Sequence, residues 1–346
     1  MLGCGPIAQY THFESCRKAR NADLYAICDV ADDLRERMAA VHQPQIAYAQ
    51  YEEMLNDPRV DAVVVATSDQ FHVPLCRQAV EAGKHVLVEK PLGVTVEECD
   101  ELDRWVQDSE KIVQVGHMKR FDPGIAYARD FIRDEMGDMI ALKAWYCDST
   151  YRYTMTDNLQ PLPIHSGSAH KPEGNPKEDK RRYFMLTHGS HLVDTAQFLG
   201  GPIESVRGRL VEKCGAHCWF VDVEFASGSA GHLDLTIAVR MDFHEGFQIY
   251  GEHGSVIGKT YLPWFLKSSD VECFSTKDSA YHRPLGEDAH FYRRQIEGFA
   301  DTILHGAALQ GASVSDGTAA MRIMTAIARS VEGDVAVRPS DISGGV

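Results

Sequence analysis

The sequence predicts an α/β fold in which an N-terminal parallel sheet is followed by a larger, mostly antiparallel sheet. Short apolar runs alternate with helical stretches between residues 24 and 115, as in parallel strands joined by helices. After about Asp138 the segments become longer strands joined by Gly-rich turns. The alternating half opens on the pattern G-x-G-x-x-A at Gly3, Gly5 and Ala8, which is typical of dinucleotide-binding sheets.

These observations predict two domains. Residues 1–120 are expected to form a Rossmann-type dinucleotide-binding domain, and residues 121–346 an α+β domain built on a large, open-faced, mostly antiparallel sheet. We expect the second domain to bind substrate and to mediate oligomerisation, with its closing helix packing back towards the first domain. An uncovered sheet face predicts a homodimer or homotetramer formed through that sheet.

The alternating half contains four apolar runs that read as strands. The second of them is a continuous β-branched run, which is typical of a strand buried on both faces. The predicted strands are 24–28, 61–67, 85–88 and 112–115, and the predicted helices are 7–20, one from residue 32, 51–55, 73–82 and 95–109.

The second half contains five predicted strands and a single inserted helix before the chain closes on two more helices. The inserted helix, 185–199, stops at the strong break Gly200-Gly201-Pro202. A polar stretch at 154–180 is rich in proline and is expected to form a loop over the site. The predicted strands are 140–146, 203–211, 219–225, 230–239 and 247–259, and the closing helices are 290–304 and 315–331.

Composition excludes several functional classes. Thirty-five basic residues against fifty acidic residues give a net charge of −15, which repels a phosphate backbone, so nucleic acid is excluded as a partner. No apolar run reaches the length of a membrane helix. Nine scattered cysteines without regular spacing favour reduced thiols, and we expect a cytoplasmic protein.

The Gly-rich stretch has a specific physical role. Gly3 allows a tight turn, Gly5 lets the backbone approach a pyrophosphate, and Ala8 lets helix and strand pack closely. The phosphates would then lie on the N-terminus of the following helix. Only Met1 and Leu2 stand where a first strand should be, so we expect further apolar residues ahead of Met1 in the natural protein. Restoring them is expected to raise stability and NAD affinity.

Asp29 is the candidate for cofactor selection. It lies 24 residues after Gly5, at the end of the second predicted strand, where an acid binds the adenosine ribose hydroxyls of NAD. A carboxylate there would repel a 2′-phosphate, which favours NAD over NADP. The alternative is a turn aspartate or a helix cap.

The run Glu89-Lys90-Pro91 follows a buried strand. A lysine at that sheet edge has no packing purpose and would lie beside the nicotinamide. Because it would be partly desolvated and next to the positive charge of the oxidised nicotinamide ring, this lysine would give up its proton more easily. It could then exchange a proton with a substrate hydroxyl. The alternative is a solvated lysine at a strand end.

Two histidines open the inserted helix. His188 and His191 are three residues apart and can share a helix face, which Asp194 continues. A zinc site is conceivable, but a histidine that meets substrate while the other caps or packs is favoured, and we expect no metal. Cys214, His217 and Cys218 suggest a hairpin turn rather than a metal knuckle. One stretch contains a cluster of basic residues, which we interpret as exposed charge on a loop; the alternative is that it binds an anionic group of the substrate. The cluster consists of Lys171, Lys177, Lys180, Arg181 and Arg182.

Taken together, these motifs resemble the Gfo/Idh/MocA family of NAD(P)-dependent oxidoreductases, which act mostly on sugars, inositols and related polyols. The resemblance covers nearly the whole chain and is most specific in the run A-G-K-H-V-L-V-E-K-P-L at 82–92. It also rests on 3–8, 66–72, 116–123, 189–194 and 316–317. It implies that Lys90 handles a proton and that His191 is the catalytic histidine. It further implies substrate contacts from Lys90, His117, Lys119 and His191, and cofactor contacts from Gly3, Gly5, Pro6, Ile7, Ala8, Asp29, Thr67, Ser68, His72, Glu89 and Lys90.

The chain departs from the family pattern at two further places. Thr187 stands where the pattern has an aspartate four residues before the histidine, and a neutral hydroxyl cannot take a proton as a carboxylate can. Either Lys90 and His191 suffice, or His188 substitutes, or Thr187 relays a proton. Ser68 and Asp69 replace the usual Pro-Asn, which makes cofactor contacts there less certain.

We therefore expect an NAD-dependent dehydrogenase that moves a hydride between the nicotinamide and a secondary alcohol of a sugar, glycoside or cyclitol. The alternative is a regulator of the same fold that binds NAD and senses a sugar without turnover, which the loss of the carboxylate at position 187 motivates.

Overall fold

A computed structural model describes residues 1–149, 162–169, 177–287 and 289–346, and the chain divides into two compact units. The first unit contains Met1–Met118, Gln160–Glu178 and Tyr292–Thr318, and the second contains Lys119–Leu159, Asp179–Phe291 and Ala319–Val346. Of the loop expected at 154–180, residues 154–161 and 170–176 lie outside the described residues, and so does Lys171.

The first unit is built on a parallel sheet. Strands β3, β4 and β5 pair in that order, and β1 pairs with β2. Leu2 forms parallel bridges to both Cys28 and Val65, so Met1–Gly3 occupies the central position despite its short length. Backbone hydrogen bonds hold it there; for example, Leu2 N donates to Val64 O at 2.8 Å. The strands are β1 (Ala26–Cys28), β2 (Ile46–Tyr48), β3 (Ala62–Val65), β4 (His85–Val88) and β5 (Val113–Val115).

Helices connect these strands as the alternating pattern predicts. The predicted first helix is divided, because a π-helical turn at Ala8–His12 precedes α1. Thr95 and Glu98 form a capping box at the start of α5. The helices of this part are α1 (Phe13–Lys18), α2 (Asp32–His42), α3 (Tyr51–Asn56), α4 (His72–Glu81) and α5 (Val96–Gln107).

The core of the first unit draws on distant parts of the chain. Phe13 and Leu87 are buried in one cluster with Ile296 and Phe299, which come from α9 (Phe291–His305). Burying such large apolar side chains contributes roughly 1.5–3 kcal/mol each. The late segment is thus part of the first unit's core.

The second unit is built on an eight-stranded sheet in the order β13-β12-β11-β10-β6-β9-β8-β7. Its pairs are antiparallel except β6 with β9, which are parallel, so the predicted mostly antiparallel sheet is confirmed. The strands are β6 (Met139–Ser149), β7 (Ile203–Lys213), β8 (Ala216–Phe225), β9 (Ala230–Val239), β10 (His244–Gly251), β11 (Gly254–Thr260), β12 (Asp270–Ser275) and β13 (Ala280–His282).

Helices of the second unit are α6 (Pro123–Asp134), α7 (Lys180–Phe184) and α8 (Ser190–Gly200). A π-helical turn at Met185–Gly189 joins α7 to α8. The predicted closing helix is α10 (Val314–Gly333), which follows α9 in the chain.

The prediction of one strand at 247–259 was wrong. The chain reverses at Glu252 and His253, because their backbone N–H groups donate to Asp138 and Met136 rather than continuing a ladder. The hairpin turn expected near Cys214 is confirmed, since Cys214 and Gly215 both have positive φ, as a two-residue hairpin turn requires. Within the described ranges, no helix is both long and apolar enough to cross a membrane.

Candidate active site

The Gly-rich loop has the geometry of a phosphate-binding turn. Gly3 has φ of 90°, and a Cβ on it would lie 2.6 Å from the Ala66 carbonyl oxygen, so only glycine fits. Gly5 faces open space, since no atom would lie within 4 Å of its Cβ. The Thr67 hydroxyl is buried and has no hydrogen-bond partner among the described residues. A loop whose backbone a ligand can approach closely, next to the Thr67 hydroxyl, is suited to binding a dinucleotide.

Asp29 lies against this loop. Its Oδ2 accepts a hydrogen bond from Cys4 N at 2.7 Å, and its Oδ1 accepts one from Ala31 N at 2.9 Å. Arg35 Nη1 also donates to the Asp29 carbonyl oxygen at 2.8 Å. The acid therefore joins the end of β1 to the Gly loop.

A buried ion pair stands directly before Lys90. Glu89 Oε1 lies 2.6 Å from His12 Nε2, and Glu89 Oε2 accepts a hydrogen bond from Lys90 N at 3.2 Å. Burial tends to raise the pKa of Glu89, but the hydrogen bond from His12 and the charges of His12 and Lys90 outweigh it and hold that pKa below its usual value. Glu89 is thus a buried carboxylate that fixes the backbone at Lys90.

The other predicted residues of this sheet edge surround the same turn. Both ring nitrogens of His72 face backbone carbonyls, with Nδ1 2.7 Å from Pro91 O and Nε2 3.2 Å from Thr67 O. His72 therefore tethers the turn after β4 to the end of β3. Lys90 is half-buried, His117 is buried two residues after the end of β5, and Ser68 is exposed.

Residues 162–169 lie beside the Gly loop. The Gln9 amide donates to Cys4 O and Ile164 O, each at 2.9 Å, and accepts from Ile164 N at 2.8 Å. Asp33 accepts hydrogen bonds from Ser166 Oγ at 2.6 Å and from Gly167 N at 3.1 Å. Hydrogen bonds, above all that from Ser166, lower the pKa of Asp33 to about 2. The described part of the predicted loop is therefore fixed at the first unit's candidate cofactor site.

In the second unit, Tyr146 of β6 is the centre of a polar cluster. Its ring stacks on His191, with centroids 6.0 Å apart and planes 6° apart. Lys119 Nζ lies 4.6 Å from the centre of the same ring. Tyr146 therefore brings together two of the residues predicted for substrate binding.

Lys119 is also held by a buried carboxylate. Its Nζ donates to both oxygens of Glu245, at 2.5 Å from Oε2, and both side chains are almost fully buried. Burial lowers the pKa of Lys119 and raises the pKa of Glu245, and in each case the charge of the partner opposes the shift.

Thr187, which stands where the family pattern has an aspartate, uses its hydroxyl within its own helix. Thr187 Oγ1 donates to Tyr183 O at 2.6 Å, one helical turn back. His188 Nδ1 lies 3.3 Å from Asp148 Oδ2 and 3.3 Å from the Tyr146 hydroxyl. Asp194 accepts a hydrogen bond from Arg120 Nη2 at 2.7 Å.

Two alternative sites are a metal site and the basic cluster. Across the part of the chain that the structure describes, no group of three His, Cys, Asp or Glu side chains could hold a metal ion. In the basic cluster, Arg181 is exposed and pairs with Glu212, which fits the interpretation as surface charge.

Sequence reasoning missed several residues that the structure brings to these two clusters. His12 lies on the helical turns after the Gly loop, and Asp148 is an acid near the end of a strand, so both carried a weak signal. No sequence signal pointed to Glu245 or Tyr146, because their roles depend on strand pairing. The missed residues are Gln9, His12, Asp33, Tyr146, Asp148 and Glu245.

Comparison with known proteins agrees with this geometry. Residues 1–117 match the model of the oxidoreductase family with an NAD-binding Rossmann fold, and residues 154–257 match the Gfo/Idh/MocA C-terminal domain. The chain belongs to the Gfo/Idh/MocA family. The expected family and the expected fold class are thereby confirmed.

Several relatives align with most of this chain. The scyllo-inositol 2-dehydrogenase (NAD(+)) of Bacillus subtilis is 26% identical over 73% of this chain and 70% of its own length. Inositol 2-dehydrogenase 1 of Saccharopolyspora erythraea is 26% identical over 90% of this chain and 87% of its own length. Among solved structures, levoglucosan dehydrogenase in complex with NADH matches with a TM-score of 0.76, at 18% identity over 97% of each chain.

Proposed function

We propose that this protein is an NAD-dependent dehydrogenase that oxidises a secondary alcohol of a cyclitol or sugar, or reduces the corresponding ketone. One observation carries the proposal: Lys90 stands two residues after β4, at the sheet edge that also carries the Gly3 to Gly5 loop, and the buried Glu89 fixes its backbone. Ligands of parallel α/β sheets bind at that edge. The names of the inositol dehydrogenases in the family support the substrate class.

Each candidate residue then has a role in that reaction. When bound, the nicotinamide cofactor would supply the hydride chemistry, accepting a hydride as NAD or donating one as NADH. The loop at Gly3 and Gly5 would hold the pyrophosphate of the cofactor, and Ala8 would let the following helix pack closely beside it. Asp29 would bind the ribose. From the family resemblance, we expect Lys90 to handle the proton of the reacting hydroxyl and His191 to be the catalytic histidine. The resemblance also implies that His117 and Lys119 contact the substrate.

The test is turnover of a panel of inositols and sugars with NAD, followed by absorbance of the reduced cofactor. At least one should be oxidised. Tight NAD binding with no turnover of any polyol would instead support the sugar-sensing regulator.

We expect Asp29 to set the choice between NAD and NADP. Replacing Asp29 with Ser removes a charged acceptor worth about 1.5–3 kcal/mol, so NAD affinity should fall about ten- to hundred-fold while NADP binding improves. Cofactor titrations by fluorescence measure both constants. Asp32→Asn is the matched control, since this nearby carboxylate is exposed and pairs with Arg35. An unchanged NAD to NADP ratio in the Asp29 variant would contradict the assignment.

We also propose a homodimer or homotetramer formed through the second unit's sheet. Large apolar side chains stand exposed on three strands of this sheet: Phe220 on β8, Tyr250 on β10 and Ile257 on β11. Ile257→Glu should therefore lower the mass measured by light scattering to that of a smaller species. The exposed Val41 of α2 provides a control position, because Val41→Glu should leave the mass unchanged. A monomeric wild-type protein would contradict the proposal.

A further inference from the structure

Residues 162–169 are attached to the first unit through both apolar and polar contacts. Ile164 and Ala169 pack against the buried cluster that contains Phe13. The segment belongs to the same compact unit as the Gly loop and the parallel strands. Its polar contacts go to Gln9 and Asp33, two residues that are distant in the chain and flank the candidate cofactor site.

The side-chain amide of Gln9 links this segment to the Gly loop. Its Nε2 donates to the carbonyl oxygens of Cys4 and Ile164, each at 2.9 Å, and its Oε1 accepts from Ile164 N at 2.8 Å. Asp29 holds the same loop residue from its other side, since Cys4 N donates to Asp29 Oδ2 at 2.7 Å. A movement of the loop at Cys4 would therefore disturb the link between Gln9 and Ile164.

Asp33 of α2 makes the second attachment. Its carboxylate accepts hydrogen bonds from Ser166 Oγ at 2.6 Å, from Ser168 Oγ at 3.0 Å and from Gly167 N at 3.1 Å. Hydrogen bonds, above all that from Ser166, hold the pKa of Asp33 at about 2, so the carboxylate is ionised at neutral pH. Hydrogen bonds to an ionised acceptor are stronger than those between neutral groups, which favours a lasting attachment.

The two attachments lie on the two elements that would hold the adenosine half of a dinucleotide. Gln9 is on the helical turn after the Gly loop, and Asp33 is in the first turn of the helix that follows β1 and Asp29. The pyrophosphate of a dinucleotide binds at the N-terminus of the first of these helices, and its adenosine ribose binds at the acid that ends the strand. A segment attached to both elements therefore borders the adenosine half.

We propose that residues 162–169 retain the adenosine half of the bound dinucleotide, with Gln9 and Asp33 as the residues that position this segment. The inference rests on the proposed binding of NAD by the first unit. Attachment and cofactor binding are then linked, because any gain in cofactor affinity from the attached segment is returned as tighter attachment when the cofactor is bound. The segment thus controls how fast the cofactor leaves.

Asp33→Ala tests the proposal, because it removes the acceptor of all three bonds. The dissociation rate of NADH, measured by stopped-flow fluorescence, should rise about ten-fold, and so should its Kd, while the association rate changes less than about three-fold. ADP-ribose contains the adenosine and both phosphates but no nicotinamide. Its Kd, measured by calorimetry, should therefore rise by the same factor as that of NADH.

The matched control is Asp32→Ala. This variant removes the same charge from the same turn of α2, but Asp32 is exposed and pairs with Arg35. Both Kd values should stay within a factor of about two of the wild type.

Gln9→Met releases the segment from the Gly loop and should raise the NADH dissociation rate at least about three-fold. Because Gln9→Met and Asp33→Ala release the same segment, the double variant should show less than the product of the two effects.

Hydrogen exchange separates retention of the cofactor from a merely structural contact. In the wild type, NADH should slow exchange at the Ile164 and Gly167 amides at least about five-fold, and Asp33→Ala should lose this protection. The inference is overturned by an unchanged dissociation rate or tighter binding in Asp33→Ala, by an effect on NADH without one on ADP-ribose, or by exchange at 162–169 that NADH does not slow. If the wild-type protein binds neither NADH nor ADP-ribose, the proposed function itself fails.

Discussion

Replacing Lys90 with Ala should lower kcat about 100- to 10,000-fold while leaving NAD affinity nearly unchanged. The reason is that a positioned acid or base contributes a factor of this size, whereas the candidate phosphate and ribose contacts come from the Gly loop and Asp29. Initial rates with the responding polyol and fluorescence titration with NADH measure the two quantities separately.

Two controls make the Lys90 result specific. Lys18→Ala removes an exposed lysine that pairs with Glu14, and it should retain wild-type rates. Lys90→Arg keeps the charge but cannot give up its proton, so it should be nearly as slow as the alanine variant. Full activity of Lys90→Ala would remove the basis of the proposed function.

Replacing Lys119 with Met should destabilise the protein by about 3–5 kcal/mol, because it leaves the Glu245 carboxylate buried and without its cation. Burial raises the pKa of Glu245, so in the variant the folded protein holds that proton more tightly than the unfolded chain does. The loss of stability should therefore grow as the pH rises above the ordinary glutamate pKa. Denaturant unfolding at about pH 5 and pH 8 measures it.

The controls for this experiment use one exposed pair and one double variant. Lys267 Nζ lies 3.1 Å from Asp270 Oδ2 at the surface, so Lys267→Met should cost less than about 1 kcal/mol. Lys119→Met combined with Glu245→Met removes both charges and should recover most of the stability. Equal losses at positions 119 and 267 would show that the buried pair has no special role.

Local sequence patterns were sufficient for the fold class and for the first unit's sheet edge. Parallel strands buried on both faces leave continuous apolar runs, and the polar residues that follow them, such as Asp29 and Lys90, must meet at one edge. That is why the position of each after its strand could be read from the chain.

The second unit was less predictable because its cluster depends on pairing between distant strands. Tyr146 approaches Lys119 and His191 only once β6 is placed in the sheet, and Glu245 reaches Lys119 across 126 positions. The turn at Glu252 and His253 was missed for a related reason, since its hydrogen bonds go to residues 136 and 138. The hydrophobic periodicity of one segment does not indicate which distant residues that segment will contact.

The placement of Ile296 and Phe299 in the core around Phe13 has a consequence for the order of events during synthesis. The stretch that carries the Gly loop and all five parallel strands leaves the ribosome early, yet its apolar surface is completed by side chains made nearly 180 residues later. Until then the nascent chain must keep that surface from associating elsewhere, which is the situation in which chaperones are needed. The segment 1–117, which the first family model spans, therefore does not contain the whole core of its unit.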